Sequence, residues 1–212
     1  YWAIQDKIQK VEPYRFADGG SLENFGLLTL LQRKVERIVV FINTDTEINT
    51  NFVPSNNNPP TPKDIDVDFY TLFGDASYNY GSQTNNHVFS KEDFANIFNA
   101  FKKRVQDGEP VVAKSKLKTK KNDWCGIPEG QEVEILWVHN YKIPIWESQL
   151  PTATLDAIKE GKMFPNFPWY KTVFPDGPPH LVRFTPAMTK LLYELQFYNV
   201  YSNRELFDFL KN

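Results

Sequence analysis

A single cysteine, Cys125, among 212 residues excludes an internal disulfide framework. None of the eighteen asparagines opens an Asn-x-Ser/Thr sequon. About two would be expected if Ser or Thr followed at random, so the composition leans away from a secreted glycoprotein and toward a cytoplasmic or peripheral membrane setting. No apolar run approaches the roughly 18 residues that a spanning helix needs, and the residues from Tyr1 onward do not open a signal-peptide pattern. A formal net charge of −2 removes any global electrostatic argument for an anionic partner, and no nucleic acid is expected. The three histidines, His87, His139 and His180, have no metal-ligand spacing. Neither a metal nor a cofactor is therefore expected.

What is present is a globular composition: 41% hydrophobic and 24% charged residues, with aromatics high at 15%. That is enough apolar material for one sizeable core, so residues 1–212 are expected to form a single α/β domain or part of one.

The most informative stretch starts at Tyr14-Arg15-Phe16-Ala17, which is short and β-prone. Asp18-Gly19-Gly20 follows as a turn signal, since two residues without Cβ can take φ > 0 and lie close to another backbone. Leu27, Leu28, Leu31 and Val35 then line one face of a helix, and Ile38-Val39-Val40-Phe41-Ile42 reads as a strand covered on both sides. Strand, helix and strand make a βαβ unit in a parallel or mixed sheet with flanking helices. Ligand sites in such sheets lie outside the carboxyl ends of the strands, where this reading puts Asp18.

Asp18-Gly19-Gly20, Glu23-Asn24-Phe25-Gly26-Leu27, the Leu-rich helix ending in Gln32-Arg33-Lys34 and the strand Ile38-Val39-Val40-Phe41 resemble the Asp-Gly-Gly end of the patatin-like phospholipase family, to which the cytosolic phospholipase A2 catalytic domain is related. The resemblance covers about thirty residues. It implies the later part of a three-layer α/β fold and a lipid acyl hydrolase working through a Ser-Asp dyad. Asp18 would be the base, with Gly19, Gly20 and Asn24 supporting its loop. No Gly-x-Ser-x-Gly nucleophile elbow occurs in the sequence, because Ser21 follows two glycines but has Glu23 where the last glycine belongs. The expectation is that the Ser lies on another segment or chain, that the substrate is a lipid or other acyl ester, and that peripheral membrane contact accompanies it. The lack of an initiator Met fits a processed or partial chain. The alternative is a non-catalytic binding or structural subunit on the same scaffold.

The remaining chain supplies elements and weaker signals. Residues 44–63, rich in Asn and Pro, read as a long surface loop, more simply a mobile insertion than a functional rim. Asp64, Asp66 and Asp68 alternate with apolar residues, so the stretch is either a half-exposed strand or a loop on the core. The spacing resembles the start of an EF-hand loop, but Phe69 stands where that loop needs glycine and Asp75 where it needs glutamate. Ser90 caps a helix whose Phe94, Ile97, Phe98, Phe101 and Val105 form one face, and Gly108 stops it. Residues 111–118 and 132–139 read as strands, either a hairpin or further members of the main sheet. The lysines of the first read as guards of a solvated edge. The Pro-broken aromatic stretch 141–174 reads as a layer over the core, or as a lip for lipid headgroups. Thr152 or Thr154 is expected to cap a short helix, Thr185-Pro186 to open a longer one, and Ser202-Asn203-Arg204-Glu205 to form a capping box before a terminal helix. Cys125 and His139 have no spacing that pairs them.

Overall fold

The structure, a computed structural model, describes residues 22–170 and 184–211. The strand expected over 14–17 and the turn Asp18-Gly19-Gly20 lie outside the described residues, as do His180 and Phe174.

The fold is α/β, with a mixed three-stranded sheet flanked by helices. Helix α1 is Leu27–Gln32, and strand β1 is Arg37–Ile42. Helix α2 is Val67–Tyr70, α3 is Lys91–Gln106, β2 is Val111–Lys118 and β3 is Glu132–His139. Three helices follow: α4 Pro144–Glu147, α5 Thr152–Glu160 and α6 Pro186–Ser202, with a 3-10 helix over Arg204–Leu210. The strand order is β1-β3-β2. β1 runs parallel to β3, with Arg37 opposite Glu134 and Ile42 opposite His139, while β2 runs antiparallel to β3. The two readings of 111–139 are therefore both realised, since the pair is a hairpin and also part of the main sheet. The parallel pair that the described residues contain is β1–β3.

Alternation along the strands divides the core. Ile38, Val40 and Ile42 of β1, Val111, Ala113 and Leu117 of β2, and Val133, Ile135 and Trp137 of β3 face one side, where α1, α2 and α3 bury their apolar residues. Val112, Leu136 and Val138 face the other side, with Val39 beside them and Leu206, Phe207 and Phe209 of the terminal 3-10 helix laid against them. The Phe stripe of α3 is core: Phe94, Phe98 and Phe101 are fully buried, and Phe94 stacks on Phe98. Its first turn carries the expected Ser90 cap in reciprocal form. The Ser90 hydroxyl accepts from the Asp93 amide, and the Asp93 carboxylate accepts from the Ser90 amide.

Several expectations are corrected. Residues 44–63 are not a loose insertion, because Ile48 and Phe52 enter the core and the Phe52 ring meets Phe98 edge-on at 5.3 Å. The Lys102 ammonium donates to the Phe52 carbonyl at 2.8 Å, which closes the anchor. Helix α5 has Pro151 at its N-cap and no side-chain cap, so Thr152 is its first residue rather than its cap. Ser202 lies inside α6, and no capping box forms there. Asn203 ends the helix and donates its side-chain amide to the Asn199 carbonyl, meeting the need of an orphan C-terminal acceptor. The Thr185 cap of α6 is as expected, accepting from the Met188 amide.

The aromatic stretch after β3 builds a second cluster. Trp146, Phe164, Phe167 and Tyr170 pack on Met188, Leu191 and Leu195 of α6. These rings are turned inward. Among the described residues no helix is long and apolar enough to cross a membrane.

Candidate functional site

The first described residues, from Leu22 to Gly26, are held by side chains from two distant parts of the sequence, Asp68 and Asn86. Gly26 takes φ +71° at the start of α1 and has no side chain with which to cap it. Glu23 does so instead: its carboxylate accepts from the Phe25 amide at 2.7 Å and from the Leu28 amide at 3.2 Å. Burial pushes the Glu23 carboxyl above its usual range, and these backbone donors pull it part of the way back. Helix α1 then seats Leu27, Leu28 and Leu31 in the core, and Lys34, at φ +58°, turns the chain toward β1.

Asn24 points across to α2, where its amide donates to one oxygen of Asp68. Gln83 donates to the other oxygen of the same carboxylate, and Asn86 donates to the Leu22 carbonyl. Asp68 is only 5% exposed, and no ion pair to it occurs among the described residues. Desolvation therefore raises its carboxyl, while the Asn24 and Gln83 amides oppose the rise by bonding to the charged form. Gln83 Oε1 and Asn86 Oδ1 are buried and find no donor among the described residues. Helix α2 follows the carboxyl end of β1: Asp66 caps it by accepting from the Phe69 amide and is also hydrogen-bonded to Thr44, two residues past that strand. Burial raises Asp66 to about 6, with a further push from the neighbouring Asp68 charge.

The three alternating aspartates thus serve three different contacts. Asp64 accepts from Asn49 and Thr61, Asp66 caps α2, and Asp68 holds Asn24. They neither form a strand nor converge, and no group of His, Cys, Asp and Glu able to hold a metal occurs among the described residues.

Of the residues expected at a site, Asp18, Gly19 and Gly20 lie outside the described residues, and Asn24 is placed as the anchor of the segment that follows them. Sequence reasoning missed Glu23, Asp68, Gln83 and Asn86. Their only local signal was a carboxylate beside the buried-type residue Phe69, and nothing in the sequence paired it with Asn24, 44 positions away.

Comparison with protein-family models, with curated proteins and with solved structures returned no match.

Other polar candidates have structural partners. His87 sets Nδ1 at 2.9 Å from the Thr71 and Phe73 carbonyls, and burial lowers its pKa. His139 is buried, with its pKa depressed to about 4 by desolvation, so the ring is neutral near pH 7. Cys125 is buried, and burial together with the Glu23 charge raises its thiol. That is opposite to what a thiolate nucleophile requires. The lysine run is taken up in pairing: Lys114 and Lys116 meet Glu134 at 2.9 Å, Lys118 meets Glu132 at 3.1 Å, and Lys120 donates to the Gly74 carbonyl. Edge guarding and cross-strand pairing account for it. A groove of about 950 Å³ opens at the amino ends of β1 and β3, between Lys34, Arg37 and Glu129, with both signs of charge on its walls.

Proposed function

We propose that this chain carries the base of a lipid acyl-ester hydrolase of the phospholipase or lysophospholipase type, with Asp18 as that base and the nucleophilic Ser on a segment outside these 212 residues. The observation that carries the reading is the succession Asp18-Gly19-Gly20, Asn24, Gly26, a Leu-rich helix and a β-branched strand. The described part of that succession agrees with it, since α1 leads into β1 and β1 lies parallel to its neighbour. The later part of a patatin-like three-layer fold is the architecture proposed with it.

The chemistry is direct base catalysis. The Asp18 carboxylate takes the Ser hydroxyl proton as Oγ bonds to the ester carbonyl carbon. The tetrahedral oxyanion collapses with loss of the alcohol, to which the proton passes, and an acyl-enzyme remains. Asp18 then takes a proton from water as the water attacks, and collapse returns that proton to Ser and frees the fatty acid. The base does little alone, because oxyanion donors and nucleophile come from the other segment. An acyl ester or membrane lipid is the substrate class, and contact with a membrane surface is part of the reading.

The test is ester hydrolysis by this chain joined with the segment bearing a Gly-x-Ser-x-Gly elbow. The Asp18→Asn variant is expected to lower kcat at least about 1,000-fold, in the range seen when a dyad or triad member is removed. Activity that survives in Asp18→Asn removes Asp18 as base. An assembly with no hydrolysis in its unsubstituted form favours the non-catalytic binding subunit.

A further inference from the structure

Helix α6 is apolar nearly all the way round, with only Lys190 and Glu194 charged among its 17 residues. Met188, Leu191 and Leu195 fill the second cluster, and the opposite face is where a surface helix normally carries its polar residues. That face carries Tyr193, Phe197 and Tyr201 instead, exposed to 64, 54 and 59%. Phe197 stands two residues past the fully buried Leu195, about 200° round the helix. The three rings fall at i, i+4 and i+8 and form a ladder. The Tyr193 and Phe197 centroids are 6.4 Å apart with planes 28° from parallel, and those of Phe197 and Tyr201 are 6.0 Å apart at 14°. Single apolar residues scattered over a surface are ordinary, whereas a contiguous row marks an interaction site.

We propose that this face of α6 is an interface between two copies of the chain, related by a two-fold axis at Phe197. A row at i, i+4 and i+8 is the kind of ridge that packs beside the same ridge of another helix, crossing at about −50° with the axes about 8–10 Å apart. The order Tyr193, Phe197, Tyr201 reads the same in both directions, so such an axis sets phenylalanine against phenylalanine and tyrosine against tyrosine, as a self-complementary interface requires. The area suffices for a weak dimer. An aromatic side chain offers about 150–250 Å² when fully buried, so the exposed parts of three rings supply about 350 Å², and the stems of Lys190, Glu194 and Arg204 bring each copy to about 500 Å². A pair then buries about 1,000 Å², the lower bound for specific association. The charges favour a second copy over an anionic membrane. From Pro186 to Lys211 the cations Lys190, Arg204 and Lys211 are matched by Glu194, Glu205 and Asp208, so no basic rim surrounds the rings. Arg204 lies over the Tyr201 ring at 5.4 Å, which occupies that cation on the ladder itself. The association is independent of the hydrolase chemistry proposed above.

The experiment is sedimentation velocity of the chain over a concentration series, joined to cysteine cross-linking. The unsubstituted chain is expected to pass from monomer to dimer with a midpoint at about 10–100 µM, the weak end for an interface of this size. Phe197→Asp, which sets two carboxylates at the axis, is expected to raise that midpoint at least about 10-fold. Tyr193→Ser with Tyr201→Ser gives the same loss and serves if Phe197→Asp does not fold. Phe197→Cys is expected to cross-link on mild oxidation, because helices packed this closely bring the Cα atoms at the axis within about 7 Å. Val53→Cys, at a position 65% exposed in the 44–63 loop, reports random collision and stays uncross-linked. Cys125 is buried and common to both variants. A chain that is monomeric at every concentration overturns the interface. A dimer that survives the α6 substitutions, or one in which Phe197→Cys cross-links no faster than Val53→Cys, puts the contact elsewhere and overturns it too. So does a monomer that binds vesicles of phosphatidylcholine and phosphatidylserine and loses them with Phe197→Asp, since the face then belongs to lipid.

Discussion

Asp66 has a titration range that equilibrium measurements can reach. Its carboxyl is raised by burial to about 6, against an ordinary value of 3.8, so between these pH values the folded chain holds a proton that the unfolded chain has lost. Its contribution to stability is therefore greatest below the ordinary value, declines as pH rises to about 6, and is flat above. Asp66→Asn keeps an oxygen for the Phe69 amide and removes the charge. It is expected to be more stable than the unsubstituted protein by about 1–2 kcal/mol at pH 7, discounted from the full shift because Asp66 is half-buried, and equal to it near pH 4. His139 titrates with the opposite slope, its pKa lowered to about 4, which costs stability as pH falls from 6.5. The measurement is thus the difference between urea midpoints of the two proteins at each pH. A difference independent of pH contradicts the assignment.

At the scale of elements, residues 44–63 carry the main lesson. Their Asn and Pro content marks turns correctly, but Ile48 and Phe52 are an isolated pair that no further apolar residue extends into a periodic pattern, and they still reach the core. Phe52→Ala separates the two descriptions of the loop. An anchored loop predicts a loss of about 3 kcal/mol in denaturant unfolding, as for a buried ring with an aromatic partner, whereas a free surface insertion predicts less than about 0.5 kcal/mol. The α3 helix was legible from end to end because its cap, its acidic first turn, its Phe stripe and its glycine stop are all local. The misread capping box at Ser202 was local too. There the ladder of α6 extended one turn further, and Asn203 served the helix end behind it rather than the one ahead.

At the scale of the molecule, apolar burial falls into a large core under the sheet, a thin layer on its opposite face, and a separate cluster of α4, α6 and the aromatic stretch before α6. Separate clusters open separately. Leu195→Ala, at a fully buried position of α6, is expected to cost about 2–4 kcal/mol and to speed amide exchange over 188–199 well before it affects the strands β1 and β3. Equal acceleration in helix and sheet would mean that the clusters unfold as one. Trp146, Phe167 and Tyr170 turn inward, so the described part of an aromatic stretch that reads first as a packed layer, with a lipid-facing lip as the alternative, forms an interior between helix and loop.

The sequence by itself determined whatever depends on neighbours within one helical turn or one strand: the β1, β2 and β3 segments, the α3 cap and stripe, the Thr185 cap, and the α/β class that follows from their order. Only the tertiary structure decided the strand order, the anchoring of Phe52, the turning inward of the aromatic layer, and the meeting of Asn24 with Asp68. Pairing across 44 residues leaves no periodic mark, because a hydrogen bond between side chains constrains two positions in space and none of the residues between them.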